Sequence, residues 1–256
     1  MAEGVIHMIF RIKELLRYKV HARDGVLGEV EDFYFDDFEW CLRYMVVSGG
    51  DEMDGRRLLI STAAVERPDP STTELKINLS KETTKNSPEI TLDRPITREE
   101  QIAIHSYYEW PLYWEASGLS AYPLVEMVTD MRKQEAENEG VHPLRSARQV
   151  LGLSIKARDG HLGSVEDFLV EDEKWNMYYL VIDTGSWLPG RQVIISPQWI
   201  ENIRWEDSEV EVDLNQETIK NSPEYDPTTP LDSEYEARLS EYYGSRNPNR
   251  SDSENA

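Results

Sequence analysis

Arg23-Asp24-Gly25-Val26-Leu27-Gly28-Glu29-Val30-Glu31-Asp32-Phe33 returns later in the chain as Arg158-Asp159-Gly160-His161-Leu162-Gly163-Ser164-Val165-Glu166-Asp167-Phe168. The same offset of about 135 positions carries Trp40 onto Trp175 and Asn86-Ser87-Pro88-Glu89 onto Asn221-Ser222-Pro223-Glu224, with no gap. About 28 identities fall in roughly 72 paired positions, so the chain reads as two homologous small domains. With 256 residues, each is near the lower size at which a domain buries its own core.

Within each copy, a short strand (Lys19 to Ala22, Ser154 to Ala157) runs into Asp-Gly, whose residues accept positive φ and favour a tight hairpin. Gly28 and Gly163 follow, where a missing β-carbon permits a bulge or a sharp coil of the second strand. The stretch from Trp40 to Val47, or Trp175 to Asp183, is aromatic and β-branched, as a strand covered on both faces should be. A loop that differs between the copies comes next, Asp51 to Gly55 against Ser186-Trp187-Leu188-Pro189-Gly190. Strands at Arg57 to Ile60 and Gln192 to Ile195 precede the alternating closing strands Glu74 to Leu79 and Glu209 to Leu214. Thr97 with Glu100, and Ser233 with Glu236, have capping-box spacing, so a helix is expected after each copy, running to Tyr107-Tyr108 and Tyr242-Tyr243.

The hairpin with Asp-Gly, the Gly-x-Val-x-Asp run, the apolar strand, the variable loop and the strand ending near Ser61 or Ser196 together resemble the PRC-barrel domain. That family is named for the cytoplasmic part of the photosynthetic reaction-centre H subunit and includes the C-terminal domain of a bacterial ribosome maturation factor. The resemblance implies a mainly β fold of two small antiparallel barrels related by internal duplication, each followed by a helix and each working as a docking surface. Asp24, Gly25, Gly28 and Asp32, with Asp159, Gly160, Gly163 and Asp167, are the residues that carry the motif. The expected spans are barrel one at 8–90, a helix and aromatic-rich connector at 91–141, barrel two at 142–225, a helix at 226–244 and a polar, disordered tail at 245–256.

Charge narrows the partners. Forty-nine acidic side chains against 27 basic ones give a formal net charge of −22, which disfavours a phosphate backbone, since that contact needs clustered Lys and Arg to release counterions. A protein partner or a homo-oligomer is the expectation. The one cysteine, Cys41, offers no internal disulfide and fits a reducing, cytoplasmic setting, and neither the run from Met1 to Phe10 nor any later window reads as a signal peptide or membrane span.

The acidic runs Glu31-Asp32 with Asp36-Asp37, and Glu166-Asp167 with Glu171-Asp172, are the one constellation that suggests chemistry, because converging carboxylates hold divalent cations. Neighbours along a strand point to opposite faces, so backbone hydrogen bonding at a turn or bulge is the favoured reading for Asp32 and Asp167. His7, His21, His105, His142 and His161 show no ligand spacing and are expected at surfaces or caps. No nucleophile elbow, phosphate loop or paired-cysteine motif occurs, and no cofactor is expected.

The leading expectation is therefore a non-catalytic cytoplasmic adaptor. A reaction-centre-H-like accessory role, a ribosome-assembly role and a carboxylate metal site or enzyme are the alternatives. Trp187, Leu188 and Pro189 form an aromatic loop that only the second copy has, and are the first candidates for partner contact. Trp110, Tyr113 and Trp114 are the next, although packing across the two barrels is the favoured reading for that connector.

Overall fold

The computed structural model describes residues 8–90, 92, 95–114, 144–185, 189–229 and 231–244. The chain divides into two compact units, one built on residues 14–148 with 172–176, the other on residues 1–13, 149–171 and 177–256. These are called below the first-repeat and second-repeat units.

The first-repeat unit holds a mixed sheet of six strands: β2 (Lys19–Ala22), β3 (Gly25–Asp36), β4 (Cys41–Gly49), β5 (Arg57–Ser61), β6 (Glu74–Lys76) and β7 (Leu144–Ser146). Their order is β5-β4-β3-β2-β6, with β7 laid antiparallel on the far end of β3. Phe33, Tyr34 and Phe35 are buried in succession, as are Tyr44, Met45, Val46 and Val47, so both faces of β3 and β4 are covered. Trp40 departs from the expected strand: at φ 51° it is a left-handed turn residue, and β4 begins one residue later.

The second-repeat unit holds eight strands: β1 (Ile9–Arg11), β8 (Ser154–Ala157), β9 (Gly160–Glu171), β10 (Met177–Asp183), β11 (Gln192–Ile195), β12 (Ile200–Arg204), β13 (Glu209–Val212) and β14 (Glu224–Tyr225). The order is β12-β13-β8-β9-β10-β11-β14, with β1 on β9. Registers repeat the first sheet at the same offset: Met45 faces Ile60 as Leu180 faces Ile195, and Val46 faces Asp32 as Val181 faces Asp167.

The structure alters three expectations. The sheets are mixed rather than antiparallel, because β6 pairs parallel with β2 and β13 with β8. Three strands lie between β2 and β6 along the chain and four between β8 and β13, so no tight turn forces reversal. Neither sheet closes into a barrel. After β5 a 3-10 turn at Thr62–Ala64, N-capped by the Ser61 hydroxyl, takes the backbone out of the ladder, leaving an isolated bridge between Val65 and Ile77. In the second sheet a 3-10 turn at Pro197–Trp199 interrupts β11 and β12 in the same way. Finally, the units differ from the contiguous spans 8–90 and 142–225: β1, which leads into the first repeat, pairs with β9, and β7, which leads into the second, pairs with β3.

Gly28 and Gly163 act by close approach. A β-carbon at Gly28 would lie 2.0 Å from the Ser48 carbonyl oxygen, and one at Gly163 1.8 Å from that of Asp183. Both sit beside register shifts in the hairpin. Gly25 and Gly160 hold φ of 138° and 144° after the turn, and the preceding Asp24 and Asp159 each accept a backbone N–H at the start of a short helix, from Lys81 at 2.8 Å and Gln216 at 2.7 Å.

Candidate partner-binding site

The acidic runs resolve into separate local partners rather than one site. Asp32 Oδ1 accepts the N–H of Phe33 at 2.7 Å and of Arg148 at 3.0 Å, and its Oδ2 accepts the Ser146 hydroxyl at 2.5 Å. Asp167 Oδ1 accepts from Phe168 N at 2.8 Å and Lys13 N at 3.1 Å, while Oδ2 pairs with Arg11 Nε at 3.0 Å. Each carboxylate thus latches a leading strand onto its sheet. Burial pushes both carboxyls above their usual value, outweighing the lowering by those hydrogen bonds and, at Asp167, by Arg11. Glu31 pairs with Arg57 at 3.2 Å, Asp37 with Arg145 at 2.7 Å and Asp172 with Arg67 at 2.6 Å. Among the described residues no three His, Cys, Asp or Glu side chains come together as a metal-binding group. No helix among the described residues is long and apolar enough to cross a membrane.

A feature with room for a partner lies where a helix packs on a sheet in the second-repeat unit, and the first-repeat unit has a corresponding seam. In the first-repeat unit the helix Arg98–Tyr108 opens with the expected capping box of Thr97 and Glu100 and ends at Glu109 in the left-handed conformation. That turn sends Trp110 to Trp114 back along the helix. Trp110 stacks on Tyr108 with centroids 4.2 Å apart and donates its backbone N–H to the His105 carbonyl at 2.9 Å. Tyr113 donates its hydroxyl to Gln101 Oε1 at 2.8 Å and lies beneath the Arg43 guanidinium at 4.3 Å; Arg98 covers Trp114 at 4.0 Å. The sequence places these three aromatics second among partner contacts and favours packing of the connector across the two barrels. Here they pack around His105 in their own unit.

His105 is the residue that sequence reading missed. Expected at a surface or cap, it is 3 % exposed, 2.8 Å from the Tyr44 hydroxyl through Nε2 and 2.9 Å from the Pro111 carbonyl through Nδ1. A carbonyl only accepts, so Nδ1 carries the proton and Nε2 accepts from Tyr44. Burial lowers its pKa, and the ring is neutral at ordinary pH. Its position on the face of the helix shared with Gln101 and Ile104 was the available signal.

In the second-repeat unit the helix Ser233–Gly244 is capped one residue earlier than expected, by Asp232, whose Oδ1 accepts Tyr235 N at 2.7 Å. Glu236 is therefore not needed as a capping-box residue and lines a groove of ≈ 460 Å³ together with Tyr179, Trp199, Leu239, Ser240 and Tyr243. Burial and the nearby Glu236 charge raise the Tyr179 phenol to about 12. The Trp199 indole N–H is buried without a hydrogen-bond partner. Tyr242 anchors this helix by donating to the Thr218 carbonyl at 2.7 Å, as Tyr107 does to Thr83 at 2.8 Å.

Of the aromatic loop expected to make first contact, Pro189 is an exposed turn residue, and Trp187 and Leu188 lie outside the described residues. Comparison with protein-family models returns no matching family, and comparison with the curated proteins returns no match.

Proposed function

We propose that this protein is a non-catalytic cytoplasmic adaptor that arose by internal duplication of one PRC-type module and binds a protein partner through its second-repeat unit. The observation that carries the reading is the difference between its helix–sheet seams. The first is filled by Trp110 to Trp114 of the same chain, while the second is a groove of ≈ 460 Å³ beside the helix Ser233–Gly244. A groove of that size lined by aromatic rings suits anchoring side chains, which supply most of the energy at protein interfaces. Duplication is supported by the repeated registers and by the paired latches at Asp32 and Asp167. The first copy's seam is filled by the chain itself, whereas no described residue fills the second, which supports reading it as a partner's place.

Affinity purification of the tagged protein at native expression, followed by mass spectrometry, tests this reading when run beside Ser240→Trp, which places a large side chain at an exposed groove position. A partner held by the wild type and lost from the variant is the expected result. Partners held equally by both would remove the groove as the binding surface.

A further inference from the structure

The two seams differ in which side supplies the positive charge. In the first, the frame supplies arginines and the filler supplies rings: Arg43 lies over Tyr113 and Arg98 over Trp114, with Gln101 accepting the Tyr113 hydroxyl. At the offset of about 135, Arg43 becomes Tyr178, Arg98 becomes Ser233 and Gln101 becomes Glu236. Both clasping cations are gone and a carboxylate has been gained. The groove is now walled by Tyr178, Tyr179, Trp199 and Tyr243 with Glu236 among them, and Arg238, the arginine of that helix, lies instead over Tyr235 outside the lining.

Rings on the frame with an acid beside them complement a cation on the occupant. We propose that the groove receives the guanidinium of an arginine presented by an extended peptide segment of the protein partner, a proposal that rests on the adaptor reading and gives that partner its chemistry. Arginine fits better than lysine because its planar group stacks on rings while its fork of N–H donors meets the Glu236 carboxylate. A peptide also brings backbone carbonyls. The first seam holds one, from Pro111, on the His105 ring; in the second, Ser240 replaces that histidine and lines the groove.

Calorimetric titration of the full chain tests the assignment with three acetylated, amidated pentapeptides: Gly-Ser-Arg-Leu-Ser, the same peptide with neutral citrulline for arginine, and the same with tyrosine. The arginine peptide is expected to bind saturably, about tenfold tighter than the citrulline peptide, with the preference weakened by salt. Glu236→Gln restores the first repeat's neutral side chain and removes the preference, while Ser240→Trp removes binding; circular dichroism checks that both variants fold. Equal affinity for arginine and citrulline, tighter binding of tyrosine, or no effect of Glu236→Gln overturns the assignment. So does binding seen only after Arg246→Ala with Arg250→Ala, which would make the occupant the chain's own arginines. A partner captured by the wild type and lost from Ser240→Trp, without discrimination among the peptides, overturns the arginine assignment and leaves the adaptor reading standing; capture unaffected by Ser240→Trp overturns both.

Discussion

Tyr44 and Tyr179 occupy corresponding places on β4 and β10, yet one is sealed and the other stands in a groove. Above Tyr44 the helix presents His105, whose two ring nitrogens tie the tyrosine hydroxyl to the Pro111 carbonyl and so fix the returning chain in place. At the corresponding point beside Tyr179 the helix presents Ser240, which has neither the reach nor the second nitrogen to make that link. His105 is one of several seam positions, with Arg43, Arg98 and Gln101, at which the two copies differ on an otherwise similar frame. The lesson is that matched backbones constrain the scaffold, while a few differing side chains decide what it holds.

The largest effects belong to positions where the units agree. Alanine at Gly28 or Gly163 places a β-carbon within 2.0 Å or 1.8 Å of a backbone carbonyl oxygen on the adjacent strand, which only backbone movement relieves. Each substitution is expected to cost about 3 kcal/mol, the upper end for overpacking, with Gly163→Ala the worse because its φ of 60° adds strain. Urea unfolding of the two variants measures this, and a loss below about 1 kcal/mol at either would show that the close approach is easily relaxed.

Next come the positions where the units differ. His105→Ser gives the first seam the second's residue and is expected to cost about 2 kcal/mol, since it strands the buried Tyr44 hydroxyl and frees the Pro111 carbonyl. The reverse exchange, Ser240→His, changes an exposed residue and is expected to stay within about 0.5 kcal/mol. The asymmetry is the point: equal costs in the two units would mean that His105 does not organise the filled seam.

Much of this frame was legible in the chain. The Asp-Gly hairpins, the glycine positions and the covered strand β4 follow from patterns a few residues long, because each is set by local φ, by steric contact or by an alternating or continuous apolar run. Three features were not legible. The parallel pairing of β6 and β13, the docking of β1 and β7 on strands more than 100 residues away, and the burial of His105 all depend on contacts distant in sequence. A three-residue strand such as Leu144–Ser146 carries almost no pattern of its own; it is specified by Asp32, which accepts from Ser146 and Arg148. The groove was hidden for the same reason, since Tyr178, Trp199 and Glu236 meet only after folding.

Protonation offers a smaller effect that reports on the filled seam alone. Burial lowers the His105 pKa below 6.5, so between the folded and unfolded values the unfolded chain binds the extra proton. Stability contributed by the neutral ring is complete above pH 6.5 and is lost as pH falls from there through the folded pKa. The raised carboxyls of Asp32 and Asp167 act with the opposite sign, their contribution being lost as pH rises from about 3.8 through their folded values. The pH dependence of unfolding should therefore be compared between wild type and His105→Gln. Their difference in stability is expected to narrow on acidification from pH 7 toward 5, and a constant difference would place the ring in contact with water.

The smallest effect concerns Glu236, and its smallness is informative. The carboxylate lines the groove, and its helix is already capped by Asp232. Removing its charge with Glu236→Gln leaves the fold with the amide that the first unit carries at Gln101, where the partner is the Tyr113 hydroxyl of the same chain. Unfolding free energy is expected to shift by less than about 0.5 kcal/mol, as for a surface substitution that breaks no buried network. A loss of 2 kcal/mol or more would show that the carboxylate holds the helix to the sheet. The second seam would then be a structural joint like the first, and the contrast between a filled seam and an open groove would collapse.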